Sequence, residues 1–244
     1  MGTERPGPQR SDDTYDTGGT AVVSGGAVTA TRALHSALVL AVLVGVGLEV
    51  HNALTIDPGA DITRTERLVR LFSFFTIQSN LVVALASALI AAAPLRVGRA
   101  RAVVQLDALL CIAVTGVVYH ALLSDSAATL APAGQLSNFL MHTVTPIGAW
   151  LVWLLVGPRP RFGGGTVGWA VAYPVAWIAY TFIRGGITGW YPYPFLDVDA
   201  LGLATVARNT AVVAVGFFAL AVLVRLLERH LPAAPRASVR TEPR

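Results

Sequence analysis

Two residues in this 244-residue chain, Thr76 and His142, are of types that can pair a hydroxyl with a base. A threonine hydroxyl is a poor nucleophile until a base takes its proton, and a neutral imidazole within about 3 Å can do so. The branched threonine side chain has few χ1 choices, which helps aim its oxygen. The other polar candidates divide by role. Asn80 and Asn138 stand one helical turn from Thr76 and His142. With Arg184, Tyr180 and His120 they are the candidates for substrate binding or for stabilising an oxyanion. Asp125, Asp197 and Glu49 are acids that could orient the histidine. Each residue also has a plain role. A membrane threonine commonly bonds its own i−4 carbonyl. A histidine in a span commonly joins helices, a contact worth about 1 kcal/mol. Arg184 and Arg208 fit cations that snorkel to an interface, and Trp190, Tyr191 and Tyr193 fit an aromatic belt.

The elements that must position these groups are read from composition. Hydrophobic residues make up 54% of the chain and charged residues 13%, against about a quarter charged in soluble domains. The charges collect at the ends and in short clusters, which is the pattern of bilayer spans. Six segments reach the roughly 20 apolar residues that a hydrocarbon core requires: Ala33 to Val50, Leu71 to Ala93, Ala102 to Leu123, Leu136 to Val156, Thr166 to Ile183 and Leu201 to Leu227. Stops are expected at Pro58-Gly59, Pro94, Pro132, Gly157-Pro158, Gly163 to Gly165, and Pro192 with Pro194. The expected fold is all-α, a polytopic bundle of six transmembrane helices over residues 31–230. Residues 1–30 and 231–244 read as disordered cytoplasmic tails, and the first thirty lack the short apolar core of a cleavable signal.

All 18 basic residues are arginine, and an even number of spans puts both tails on one side. With the connections around Arg96, Arg99, Arg101, Arg159 and Arg161, that side holds 13 of them. The positive-inside bias makes the tails cytoplasmic and the location a cell (inner or plasma) membrane. The polar residues then gather near the outer ends of the helices. The second helix carries Ser73, Thr76 and Asn80 on one face, and the fourth carries Asn138, His142 and Thr145. The third ends at Tyr119-His120, and the fifth carries Tyr173, Trp177, Tyr180 and Arg184 as a stripe. Thr76 and His142 are each expected about five or six residues inside a span, roughly 8 Å deep at 1.5 Å per residue. Ionisable groups at that depth face the bundle interior and mark a site. The inner halves read as plain Leu, Val and Ala scaffold.

Three segments carry a resemblance: Phe74-Phe75-Thr76-Ile77-Gln78, then Asn138 through Pro146 with its Met141-His142-Thr143, then Thr188-Gly189-Trp190-Tyr191-Pro192-Tyr193-Pro194-Phe195-Leu196. Together they resemble a bacterial six-span membrane family of unassigned activity. More distantly they resemble the androgen-induced and androgen-dependent TFPI-regulating intramembrane threonine hydrolases, which cleave fatty-acid esters of hydroxy fatty acids. The resemblance implies a nucleophile at Thr76, a base at His142 and an apolar fatty-acyl ester as substrate. The chain departs from the eukaryotic pattern in having Gly185-Gly186 where those proteins have a His-His pair.

Other functions are narrowed as well. Arginines that flank apolar segments meet lipid headgroups, so membrane lipids and not nucleic acid are the expected partners. The single cysteine, Cys111, excludes an intrachain disulfide and a thiolate cluster. No metal site and no cofactor are expected. Two readings compete with hydrolysis. One is a haem-binding electron-transfer protein using two of His51, His120 and His142. The other is a non-catalytic lipid- or small-molecule-binding or transport protein, for which no inverted repeat is visible.

Overall fold

The computed structural model describes residues 21–56, 62–125, 130–235 and 237–239. The stop at Pro58-Gly59, and residues 1–20, 236 and 240–244 of the tails, lie outside the described residues. The elements are β1 (Ala21–Val23), α1 (Gly25–Thr55), α2 (Arg64–Ser73), α3 (Phe75–Ala92), α4 (Arg99–Val118), α5 (Pro132–Phe139), α6 (Thr145–Val156), α7 (Gly164–Ala170), α8 (Ala172–Thr188), α9 (Val198–Leu201), α10 (Leu203–His230) and β2 (Ala237–Val239). A π-helical turn at Tyr119–Leu123 prolongs α4, a second at Leu140–Val144 joins α5 to α6, and a 3₁₀ turn covers Pro194–Leu196. The result is six apolar helical rods long enough to cross a bilayer: Gly25–Thr55, Phe75–Ala92, Arg99–Leu123, Pro132–Val156, Gly164–Thr188 and Leu203–His230. The protein is an all-α, multi-pass membrane bundle. Most rods run past the expected ends because flanking polar residues join the helix. Pro132 starts α5 instead of stopping a segment, since proline at N1 costs no hydrogen bond.

The rod containing α4 is the centre of the bundle. In its most apolar stretch 67% of residues are buried, against 17% for α10. It touches α3, α6, α7 and α10. Leu106, Leu109, Leu110 and Cys111 pack there with Trp153, Phe217 and Val224, while Ile112 joins Val42, Ile77, Val83 and Met141 on the other side.

The second expected span is not one helix. It breaks at Phe74, whose backbone is extended (φ −66°, ψ 131°), so Thr76 stands in the first turn of α3 and not five residues inside a span. Ser73 consequently belongs to α2 and leaves the face that Thr76 and Asn80 share. α2 is an amphipathic helix with three arginines, started by Thr63, whose hydroxyl accepts the Glu66 amide at 3.1 Å. A break leaves helix-end groups without partners, and here side chains supply them. Gln78 Nε2 donates to the Phe72 carbonyl (2.8 Å) and Trp177 Nε1 to the Ser73 carbonyl (3.1 Å). The Tyr193 hydroxyl accepts the Thr76 amide (3.1 Å). The α8 stripe clamps the same corner. Tyr173 donates to Gln78 Oε1 (2.9 Å), Tyr180 meets Ser73 Oγ (2.7 Å), and Arg184 Nη2 donates to Glu66 Oε1 (2.7 Å).

The opposite end of the bundle brings together the segments that precede α1 and follow α10. β1 pairs antiparallel with β2, and Arg159 pairs with Ala234 through both backbone groups. This end is not plain scaffold. His35 is 5% exposed and joins Ser87 Oγ (3.3 Å) to the Gly157 carbonyl (3.2 Å). Glu228 receives the amides of Arg161 (2.8 Å) and Phe162 (2.7 Å), and Asp107 is buried on α4. Polar groups are therefore buried toward both ends, because the connections here also need partners for their backbone groups.

Candidate functional site

The extended corner at Phe74 and the π-helical turn at Leu140–Val144 bring Thr76 and His142 together. Thr76 Oγ1 lies 3.2 Å from His142 Nε2. His142 Nδ1 lies 3.0 Å from the carbonyl oxygen of Asn138. A carbonyl only accepts, so a neutral His142 carries its proton on Nδ1 and leaves the Nε2 lone pair for the threonine hydroxyl. The oxygen of Tyr193 takes the Thr76 amide, and its own hydrogen is then free to donate to Thr76 Oγ1 at 3.2 Å. The hydrogen bonds thus run in one direction, from Tyr193 to Thr76 to His142 Nε2, with Nδ1 anchored on the main chain. A base aimed at a hydroxyl and oriented by a third group is the constellation of an activated nucleophile.

The supports are rigid. The His142 ring stacks on Tyr119 with centroids 4.0 Å apart, and Asn138 Nδ2 donates to the Tyr119 hydroxyl. Tyr119 sits in the other π-helical turn. Such turns are rare and concentrate at functional sites. Tyr193 stands between Pro192 and Pro194, stacks on Phe195 (5.3 Å) and meets Phe74 and Trp177 edgewise or at a tilt. Asn80 Nδ2 donates to the carbonyls of Thr76 (2.8 Å) and Met141 (3.2 Å), tying α3 to the turn that bears His142. Gly116 lets α4 approach this turn. A Cβ there would meet Pro146 at 3.0 Å and the His142 carbonyl at 3.5 Å.

Thr76 also faces a cavity of about 210 Å³. Its walls are almost wholly apolar, from Phe75, Val114, Trp177, Ile178, Phe217 and neighbours, with Thr76 and Tyr193 among the few polar groups. Val175 on α8 and Ala214 and Phe218 on α10 line it and are exposed on the apolar outer surface, so the cavity opens sideways between these two helices. An apolar chain could enter from the bilayer and present a polar group to Thr76.

The remaining sequence candidates are engaged elsewhere. Arg184 is held by Glu66 and lies 4.6 Å from the Trp190 ring centroid; Arg70 pairs with the same carboxylate at 2.7 Å. The hydrogen bond from Arg70, then that from Arg184, holds the Glu66 carboxyl below its ordinary range. Tyr180 bonds Ser73, and His120 Nε2 meets Thr143 Oγ1 at 3.3 Å, one residue past His142. None of the three acids touches His142. Asp197 caps α9 through the Ala200 amide (2.9 Å), Asp125 is exposed, and the Asn138 carbonyl occupies the place they would take. Two residues of the site were absent from the sequence candidates, Tyr193 and Tyr119. The pair of prolines that brackets Tyr193 was the available signal, since it rigidifies a tyrosine next to a span.

Both ring nitrogens of His142 are engaged, which leaves neither for an axial haem bond in this arrangement. Among the described residues, no cluster of three His, Cys, Asp or Glu is grouped to hold a metal. No family model, no curated protein and no solved structure matches the chain.

Proposed function

We propose that this multi-pass membrane protein is an intramembrane ester hydrolase that uses Thr76 as nucleophile and His142 as general base, acting on fatty-acyl esters. The observation that carries this reading is the directed chain from Tyr193 through Thr76 Oγ1 to His142 Nε2, facing an apolar cavity open to the bilayer. The resemblance to the six-span threonine hydrolases supports the same reading. In the first step the Thr76 proton passes to His142 Nε2 while Oγ1 bonds the ester carbonyl carbon. The oxyanion then collapses, the alcohol leaves with the proton from Nε2, and an acyl-threonine remains. Water attacks this ester, giving its proton to His142. Collapse of the second intermediate returns a proton to Thr76 Oγ1 and releases the acid. The Tyr193 hydroxyl, 3.2 Å from Thr76 Oγ1, would turn its hydrogen to the oxyanion once Oγ1 has bonded carbon. The arginine distribution supports termini in the cytoplasm and a dyad toward the outer face of the cell membrane, where water would reach it.

Labelling with a fluorophosphonate probe tests the reading. Purified wild-type protein should label, and Thr76→Ala and His142→Ala should not while keeping their helical content and thermal transition. Full labelling of either variant would overturn the dyad.

A further inference from the structure

The terminal end of the bundle holds a second cleft, of about 310 Å³, lined by Pro160, Arg161, Phe162, Gly163, Arg225, Glu228 and Arg229. Its charge is unbalanced. The one carboxylate, Glu228, is buried and spends both oxygens on the amides of Arg161 and Phe162. Among the described residues, no carboxylate is in ion-pair contact with any of the three arginines. Arg161 Nη2 donates to the Arg96 carbonyl at 3.0 Å, but its Nη1 is buried and lacks an acceptor. Burial, then the charge of Arg101, disfavours the Arg161 cation, and Glu228 only partly offsets this. The glycines beside the cleft make room for the guanidinium of Arg225 and for that of Arg99. A Cβ on Gly164 would meet Arg225 Nη1 at 3.5 Å, and one on Gly165 would meet Arg99 Nη2 at 3.2 Å. Arginine forks without carboxylate partners in a half-open cleft match a phosphate, which they can bind bidentately.

The surroundings identify the carrier of that phosphate. The cleft lies where the apolar rods end, at Val156, Gly164 and His230. Next to Arg225 and Arg229 on α10, Val222, Leu223 and Leu226 expose apolar side chains, and on α7 Trp169 is 59% exposed with Arg99 near its ring (5.9 Å). A headgroup in the cleft would leave its acyl chains along this apolar surface. We infer that Arg161, Arg225 and Arg229 form a binding site for the phosphate of an anionic phospholipid at the terminal end of the bundle.

The test is native mass spectrometry of the full-length detergent-solubilised protein titrated with phosphatidylglycerol, phosphatidylcholine or inorganic phosphate. Arg225 and Arg229 are partly or fully exposed, so R225Q/R229Q should fold. R64Q/R208Q, at the other end, is the charge-matched control. Wild-type protein and the control should retain a first phosphatidylglycerol equally, and R225Q/R229Q should bind it on the order of thirtyfold more weakly. Phosphatidylcholine should bind far more weakly than phosphatidylglycerol to all three. Equal retention by R225Q/R229Q, an equal loss in R64Q/R208Q, or no preference over phosphatidylcholine would overturn the site. Inorganic phosphate that competes as well as the lipid would overturn the lipid as its occupant.

Discussion

The phenol oxygen of Tyr193 lies 3.1 Å from the amide nitrogen of Thr76 and 3.2 Å from its Oγ1, so one side chain from the α8–α9 connection fixes both the main chain and the hydroxyl of residue 76. Tyr193→Phe keeps the aromatic packing and removes both bonds. The buried amide loses its partner, a cost of about 1–3 kcal/mol, and the threonine oxygen loses the donor that aims it. Thermal unfolding in detergent should show the loss of stability. The ester-hydrolysis rate should fall about a hundredfold, as expected for a misplaced nucleophile.

His142 takes its orientation from a main-chain carbonyl, which leads to a contrast among variants. Replacing the base, His142→Gln, should lower hydrolysis by about 10²- to 10⁴-fold. Asp125→Asn, Asp197→Asn and Glu49→Gln should leave the rate unchanged. A large loss in any of the three acids would mean that a carboxylate and not the Asn138 carbonyl orients the ring.

The sideways cavity predicts chain-length selectivity. Ala214 lines its lipid-facing side, so Ala214→Phe should obstruct an incoming acyl chain. Hydrolysis of a long-chain ester should drop about tenfold or more. Hydrolysis of a two- or four-carbon ester and labelling by a small fluorophosphonate should persist. Rates that fall together for all chain lengths would place the substrate elsewhere.

Gly185 and Gly186 are adjacent but not equivalent. A Cβ on Gly185 would come within 2.1 Å of the Tyr191 ring, whereas one on Gly186 meets nothing within 4 Å. Gly185→Ala should cost about 1–3 kcal/mol or more through overpacking. It should also displace the connection that carries Tyr193. Gly186→Ala should be close to neutral, so a comparison of the two melting curves checks the packing of this corner. The Gly-Gly step, read in the sequence as a departure from a His-His pair, acts here as a seat for Tyr191.

The Glu66 clamp should show in acid. Its carboxyl is held below the ordinary value by Arg70 and then by Arg184, so the stabilisation it contributes is complete above that value and is lost as pH falls through the depressed one. The melting temperature of Glu66→Gln should lie below wild type by a constant amount above pH 4.5. The gap should close on further acidification and shrink in high salt.

The number and order of the apolar rods were legible in the sequence because charge is so costly in hydrocarbon that spans stand out in composition alone. The proximity of Thr76 and His142 followed from placing both near the same end of two rods, the second and fourth, that cross in the same direction. The break at Phe74 was not legible. No proline or glycine marks it, and its stability comes from Gln78 nearby and from Trp177 and Tyr193, which lie more than a hundred positions along the sequence. The partner of Arg184 was hidden for the same reason, since Glu66 reaches it only once α2 turns aside from α3. His35 and Glu228 escaped notice because each sits at the margin of an apolar run, where a polar residue looks like a simple boundary.

The two π-helical turns have a geometric consequence. Each residue of an α-helix rotates the chain by about 100°, so a turn holding one extra residue changes the phase of everything beyond it. α5 and α6 share one rod but not one angular frame. Asn138, in the frame of α5, anchors His142 through its carbonyl and bonds Tyr119 through its side chain, whereas Ala149 and Trp153 pack the core in the frame of α6. Deleting a single residue within Leu140–Val144 would restore a regular helix and send one of these faces to lipid. The site and the core of this rod are thus held in register by an insertion, and a substitution that preserves every side chain's chemistry but regularises the turn would uncouple them.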